Sequence, residues 1–195
     1  LVNNKDDLPY PELSSKIIFE RMKLLKDNNI DLIVQDARDY DMVSAKLSKL
    51  KPEIIIHLAA VSHSNRSNKD PHSTFDHSLR TLENTLDISK SNKTHVIYLS
   101  SSMVYGDFKG ETALEDQRCN PIGIYGSLKM AGEIIVKSYN QVFNLPYTII
   151  RPSALYGERC VSRRVGQIFI ENAIQNKEIT INGSGDARLD FTYID

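Results

Sequence analysis

Ile54-Ile-Ile-His-Leu58 is a short run of β-branched and apolar residues with one polar position. It sits between the breaker Lys51-Pro52-Glu53 and the small residues Ala59-Ala60. A continuous apolar run of this length reads as a β-strand buried on both faces. Strands of that kind belong to parallel sheets, whose crossover helices cover them. The flanks agree. Upstream, Met42, Val43, Leu47 and Leu50 form one stripe of a helix over Asp39 to Leu50, with Asp39 or Asp41 as its cap. Downstream, Phe75, Leu79, Leu82 and Leu86 recur at helical intervals between Thr74 and Ser89, and Val96-Ile-Tyr-Leu99 is the next strand.

The alternation extends in both directions. Leu1-Val2-Asn3-Asn4 reads as the end of a strand, Glu12 to Asn28 as a loosely amphipathic helix and Leu32-Ile-Val34 as a short strand. Tyr147-Thr-Ile-Ile150 is a further strand, Arg164 to Asn176 a helix, and Ile179-Thr-Ile181 a strand before Gly183-Ser-Gly185. Strand and helix in repeated alternation predict the α/β class, a doubly wound parallel sheet of Rossmann type. Ligands of such sheets bind beyond the carboxyl ends of the strands. Those ends are Asp36, Ala59-Ala60-Val61-Ser62, Ser100-Ser101-Ser102 and Arg151-Pro152-Ser153.

Composition is that of an ordinary soluble chain: 195 residues, net charge -1, 41% hydrophobic and 25% charged. That is enough for one domain with a core. The charge balance points to neither nucleic acid nor a membrane surface, and no apolar run spans a bilayer or reads as a signal peptide. Cys119 and Cys160 do not make a disulfide framework, so a reducing cytoplasm is expected. His57, His63, His72, His77 and His95 show no metal-ligand spacing, and no metal site is expected.

The chemistry centres on Asn120-Pro-Ile-Gly-Ile-Tyr-Gly-Ser-Leu-Lys-Met-Ala-Gly-Glu-Ile-Ile-Val-Lys137. Asn120-Pro121 is a turn, and a helix follows from about Tyr125. Residues i and i+4 share a helix face, so Tyr125 and Lys129 present a phenol and an ammonium side by side. A free tyrosine, with a pKa near ~10, is a poor base at neutral pH, whereas a neighbouring cation favours the phenolate. Such a phenol can take a proton from an alcohol. The bland alternative is two residues on a solvated face. Tyr105-Gly-Asp-Phe-Lys109 has the same spacing, but Gly106 and Gly110 bracket it as a loop.

These residues resemble the extended short-chain dehydrogenase/reductases that act on nucleotide sugars. His57-Leu-Ala-Ala60 is similar to that family's fourth-strand end and Leu99-Ser-Ser-Ser-Met-Val-Tyr-Gly106 to its serine/threonine strand. Tyr125-x-x-x-Lys129 resembles its catalytic pair, Ile150-Arg-Pro-Ser-Ala-Leu-Tyr-Gly157 its sixth-strand segment, and Asp190-Phe-Thr-Tyr-Ile-Asp195 a fifth stretch. The resemblance implies Tyr125 as general base, Lys129 on the cofactor ribose and Ser101 hydrogen-bonded to the reacting oxygen. Each serine could instead cap the strand end, Ser102 sooner than Ser101. The resemblance also implies NAD as cofactor, with NADP left open. Asp36 would meet its adenine, or is instead a turn residue, and Ala37, Leu58, Ala59, Ala60, Ser78, Ser100 and Pro152 would line it. Ser102, Met103, Ser153 and Arg188 would stand on the substrate side.

For an epimerase the resemblance implies oxidation at one sugar carbon, rotation of the ketosugar and hydride return to its other face, with no net redox change. The 4,6-dehydratase branch has Asp and Glu after the catalytic hydroxyl residue; here Ser102 and Met103 stand there, and methionine moves no proton. The Asn3-to-Leu13 loop and the Asp190–Asp195 stretch look most like the 4-epimerases. Ala154 replaces a substrate-contacting asparagine, Leu189 with Arg188 beside it stands at a phosphate-binding arginine, and Ser62 and Ser78 replace a lysine and an asparagine. No Gly-x-x-Gly-x-x-Gly phosphate loop is present, so the chain reads as an internal fragment. It is expected to be one incomplete NAD(P)-binding domain over 1–195, with the substrate-binding part beginning at about 158–195, and to be inactive alone. Competing readings are a nucleotide-sugar reductase or dehydrogenase with net NAD(P)H turnover, and a non-catalytic dinucleotide-binding protein. The resemblance further implies a homodimer through the helices over Thr74 to Ser89 and Tyr125 to Phe143.

Overall fold

The computed structural model describes residues 10–62, 64–107, 112–161, 164–181, 183–186 and 188–194. Leu1 to Asn4, Lys109, Gly110 and Asp195, on which expectations above fall, lie outside the described residues. In chain order the elements are helix α1 (Pro11–Asp27), α2 (Tyr40–Leu50), strand β1 (Ile54–His57), α3 (Ser64–Lys69), α4 (Pro71–Phe75), a π-helical turn (Asp76–Arg80) and α5 (Thr81–Asn92). There follow β2 (His95–Leu99), a 3-10 turn (Ser102–Val104), α6 (Gly123–Phe143), β3 (Tyr147–Ile150), β4 (Ala154–Tyr156), α7 (Val165–Ile174) and β5 (Phe191–Tyr193). They fall into two compact units: Val34–Pro152, and Leu1–Ile33 with Ser153–Asp195. No helix among the described residues is long and apolar enough to cross a membrane.

The unit Val34–Pro152 is built on a parallel sheet in the order β1-β2-β3, with Ile54 opposite His95 and Val96 opposite Tyr147. Parallel neighbours need crossovers, and the helices between the strands supply them. Leu82 and Leu86 of α5, Val96 and Tyr98 of β2, Val136 of α6 and Leu145 form its buried core. This is the parallel α/β architecture that the alternation of strands and helices predicts. Asp39, not Asp41, caps α2: its carboxylate accepts the Met42 N–H at 3.1 Å. α2, α5 and α6 end on left-handed residues, Lys51, Lys93 and Asn144, whose N–H groups return to the carbonyls of Leu47, Ser89 and Asn140. The helical run into α5 begins at Pro71 rather than Thr74, because Asp70 accepts the Ser73 N–H at 3.0 Å and proline suits a first turn.

Three expectations are corrected. β1 is not buried on both faces: Ile54 and Ile56 are 57% and 59% exposed, while His57 opposite them is buried. β1 is an edge strand, paired on one side only among the described residues. Leu32-Ile-Val34 is not a strand, since a strand needs a ladder partner and these exposed residues find none among the described residues. Ile179-Thr-Ile181 is irregular for the same reason. The other unit instead pairs β4 with β5 in parallel, Ala154 opposite Phe191 and Tyr156 opposite Tyr193. The Tyr156 ring meets Phe191 edge-on at 6.2 Å and Tyr193 at 5.2 Å.

Gly132 is where α6 comes down on the sheet. A Cβ there would lie 2.2 Å from the Tyr98 hydroxyl oxygen and 2.6 Å from the ring carbon that carries it. Tyr98 is too deeply buried to swing aside. Helix propensity alone would reward Gly132→Ala by about 1 kcal/mol. The clash reverses the sign, and urea unfolding should show a net loss of about 1–3 kcal/mol.

Candidate active site

The carboxyl end of β2, the turn Ser102–Val104 and the first half of α6 meet in the Val34–Pro152 unit. Ser101 has extended backbone, and its hydroxyl accepts the Met103 N–H at 3.2 Å. The cap therefore falls on Ser101 rather than Ser102. Accepting that bond uses a lone pair and leaves the hydroxyl proton free to be donated elsewhere. The Ser102 N–H donates to the Pro152 carbonyl at 3.0 Å, tying the ends of β2 and β3 together. Gly126 is pressed against the Met103 carbonyl, where an added Cβ would stand 2.7 Å from the oxygen. That close approach brings the first turn of α6, with half-buried Tyr125, against the turn that Ser101 caps.

One helical turn on, Lys129 is only 7% exposed. Its ammonium donates to the Leu99 carbonyl at 2.5 Å and lies 5.2 Å from the centre of the Tyr98 ring and 6.0 Å from that of Tyr125. The spacing Tyr125-x-x-x-Lys129 does place phenol and amine on one face. Burial pulls the Lys129 amine down to about 8. His57, across the ladder from Tyr98, is held neutral: burial first, then the Lys129 charge, push it down to about 4. Its Nδ1 pairs with the Thr85 hydroxyl at 3.1 Å, and its Nε2 is buried without a partner among the described residues.

Sequence reading missed Glu133. Fully buried, it takes two hydrogen bonds from Arg151, at 2.8 and 2.7 Å, and one from the Ser100 hydroxyl at 2.6 Å. Burial pushes its carboxyl up, but the bonds from Arg151 and Ser100 outweigh that and leave it below its ordinary value. Arg151 also donates to the Tyr105 hydroxyl at 3.0 Å and to the Glu115 carbonyl at 2.9 Å, its guanidinium over the Tyr105 ring. Tyr105 thus has a structural task. A signal for Glu133 existed: a lone carboxylate inside the apolar run Ala131-Gly-Glu-Ile-Ile-Val136, four residues after Lys129.

Around the strand ends, Leu58 and Ala59 are exposed and Ala60 half-buried. The Val61 N–H donates to the Ser78 hydroxyl at 3.4 Å, and the Thr81 hydroxyl donates to the Ala59 carbonyl at 3.0 Å. Asn84, also missed, donates to the carbonyls of Ala37 and Arg38 at 3.0 and 2.9 Å. Hydrogen bonds from Arg38 hold the Asp36 carboxyl down at about 2, and Arg38 reaches Asp76 at 2.6 Å. Ser102 is half-buried and Met103 exposed. Ser153 and Arg188 belong to the other unit, Ser153 half-buried and Arg188 exposed. Among the described residues no three of His, Cys, Asp and Glu cluster as metal ligands.

The model of the NAD dependent epimerase/dehydratase family matches residues 13–195. The chain belongs to that family. It is 30% identical over 187 residues to a putative UDP-glucose 4-epimerase of Methanocaldococcus jannaschii, which covers 91% of this chain and 61% of that protein. A dTDP-D-glucose 4,6-dehydratase of Dictyostelium discoideum is 28% identical over 88% of this chain and 42% of its own length. The crystal structure of UDP-glucuronic acid 4-epimerase from Bacillus cereus, in complex with UDP-glucuronic acid and NAD, superposes with a TM-score of 0.81 at 27% identity. That match covers 92% of this chain and 57% of that one. The chain thus spans about two-fifths to three-fifths of the length of these relatives.

Membership of an NAD-dependent family makes the donor set at the strand ends testable. Leu58 and Ala59 are exposed at the end of β1, and Asp36 keeps an ionised acceptor at the end of its segment. Lys129 has three N–H donors, one of them spent on Leu99. That donor set suits a molecule rich in hydroxyl groups.

Two stability predictions come from the buried charges. Glu133→Ala strands Arg151 without its counter-ion and should cost about 3–5 kcal/mol in urea unfolding. His57 is neutral in the fold, so its contribution is complete above its unfolded value of 6.5 and disappears as the pH falls from there to about 4. The total is about 3 kcal/mol. Urea midpoints of His57→Gln should lose the slope that the parent shows just below pH 6.5, above the range where carboxylates titrate.

Proposed function

We propose that the chain is the cofactor-side part of an NAD-dependent nucleotide-sugar 4-epimerase. The observation that carries this is the placing of Tyr125 and Lys129 on one face of α6, its first turn packed against the turn capped by Ser101. The UDP-sugar 4-epimerases among its relatives support the choice of reaction. NAD, when bound, supplies the capacity to take up hydride and give it back. Asp36 would meet its adenine end, with Ala37 beside the cofactor. Leu58, Ala59, Ala60, Ser78, Ser100 and Pro152 would line it, the Ser100 hydroxyl itself being turned to Glu133. Lys129 would hold the ribose hydroxyls.

In this reading Tyr125 removes the proton of a sugar hydroxyl and later returns it, and Ser101 donates its free hydroxyl proton to the reacting oxygen. The Lys129 ammonium balances the charge on the phenol oxygen. Ser102 and Met103 would face the sugar nucleotide. Dehydration is the second reading, favoured by the dehydratase relative. It needs an acid and a base beside the hydroxyl residue, and Ser102 and Met103 are poorly suited to both roles.

The test uses the full-length protein with NAD and either UDP-glucose or UDP-glucuronate. The C4 epimer should form with no net change in nicotinamide absorbance. Tyr125→Phe should lower turnover by about 10²-fold or more, and Ser101→Ala by about 10-fold or more. Net accumulation of reduced cofactor would favour the reductase or dehydrogenase reading. Unchanged turnover in Tyr125→Phe would remove the general base from the mechanism.

A further inference from the structure

We infer that Tyr98 is the positioning residue for Lys129: the face of its ring is the seat that keeps the buried ammonium aimed at the Tyr125 side of the site. Tyr98 is 4% exposed and sits mid-sheet on β2, between His57 of β1 and Ile149 of β3. The Lys129 ammonium stands 5.2 Å from the centre of its ring, within the range in which an aromatic face attracts a cation. Among the described residues that ammonium has one hydrogen bond, to the Leu99 carbonyl, which fixes it on one side only. The ring fixes it on another.

The backbone reinforces this seat. The Tyr98 hydroxyl donates to the main-chain carbonyl of Lys129 at 3.4 Å, so the ring and the amine it carries are tied at both ends. Burial, with Glu133 and Tyr125, pushes the Tyr98 phenol up and keeps that donor protonated. Gly132 supplies the space: any larger residue would strike the same hydroxyl. A tyrosine that merely filled the core would need none of this.

The charges around the amine come from each element packed against it. His57 on β1 is neutral, its ring 6.1 Å from that of Tyr98. Tyr98 on β2 is a neutral phenol. On α6, Tyr125 lies one turn before the lysine, and Glu133, one turn after, is matched by Arg151 from the end of β3. The aromatic face, with the Leu99 carbonyl, is thus a local feature that favours the charged amine over the neutral one.

The inference rests on reading Lys129 as half of the catalytic pair, yet its test needs no turnover. Tyr98→Ala would open a cavity in the core, so the series starts from Tyr98→Phe and adds one, two and three ring fluorines, which weaken the negative face at nearly constant shape. The readout is the titration midpoint of the Lys129 side chain by NMR in the full-length protein without substrate or cofactor, assigned by its loss in Lys129→Arg. The midpoint should fall step by step, by about 1 pH unit across the series. A midpoint that stays put while fluorines accumulate overturns the seat. Failure of the catalytic reading shows elsewhere, in the turnover of Tyr125→Phe.

Discussion

A single buried ion pair holds the site together. Glu133 lies on α6 and Arg151 just after β3, and the carboxylate also takes the hydroxyl of Ser100 at the end of β2. Arg151 passes the link on to Tyr105 and the Glu115 carbonyl, in the long connection between β2 and α6. Two charges removed from water are a net gain only when their hydrogen bonds are nearly all made, and here they are. The consequence is positional. Glu133 is one helical turn from Lys129 and two from Tyr125, so pinning Glu133 to two strand ends sets how α6 lies across the sheet.

Electrostatics beneath the site follow from the same burial. Lys129 and His57 are both buried cations in waiting, and both feel Tyr98. Two positive charges so close in a dry interior would repel strongly. The fold settles the conflict by leaving the proton on the amine, which has a carbonyl and a ring face to stabilise it. Among the described residues His57 has a threonine hydroxyl on one side and a buried nitrogen without a hydrogen-bond partner on the other. A histidine here is therefore compatible with the lysine only because it stays neutral.

The sequence was most legible where the pattern was local. The helical spacing of Tyr125 and Lys129, the strands around Ile56, Val96 and Ile149 and the cap before α2 are all consequences of neighbouring residues, and each has its counterpart in the structure. Ile54 and Ile56 were misjudged because a β-branched run states strand but not how many neighbours the strand has. Leu32 to Val34 failed more plainly: apolar residues suit a strand, yet a ladder partner is not written in them. Glu133, Asn84 and the clasp of Ser78 and Thr81 on the Ala59–Val61 loop escaped because their partners are 17 to 47 positions away in the chain. Spacing rules for one helix face cannot see such pairs.

Two glycines show how far the chemistry of the site depends on residues with none. Gly126 lets α6 touch the Met103 carbonyl, and Gly132 lets it touch Tyr98. They are six positions apart, and Lys129 lies midway between them. The helix is therefore held against the 3-10 turn at one point and against the sheet at the other, and the amine between these points has little freedom to shift. A catalytic pair read as Tyr-x-x-x-Lys carries only the spacing. Its bearing on Ser101 comes from the two missing side chains on either side of the lysine, since a methyl group at either place would lift the helix and carry the phenol away from the hydroxyl it is proposed to work with.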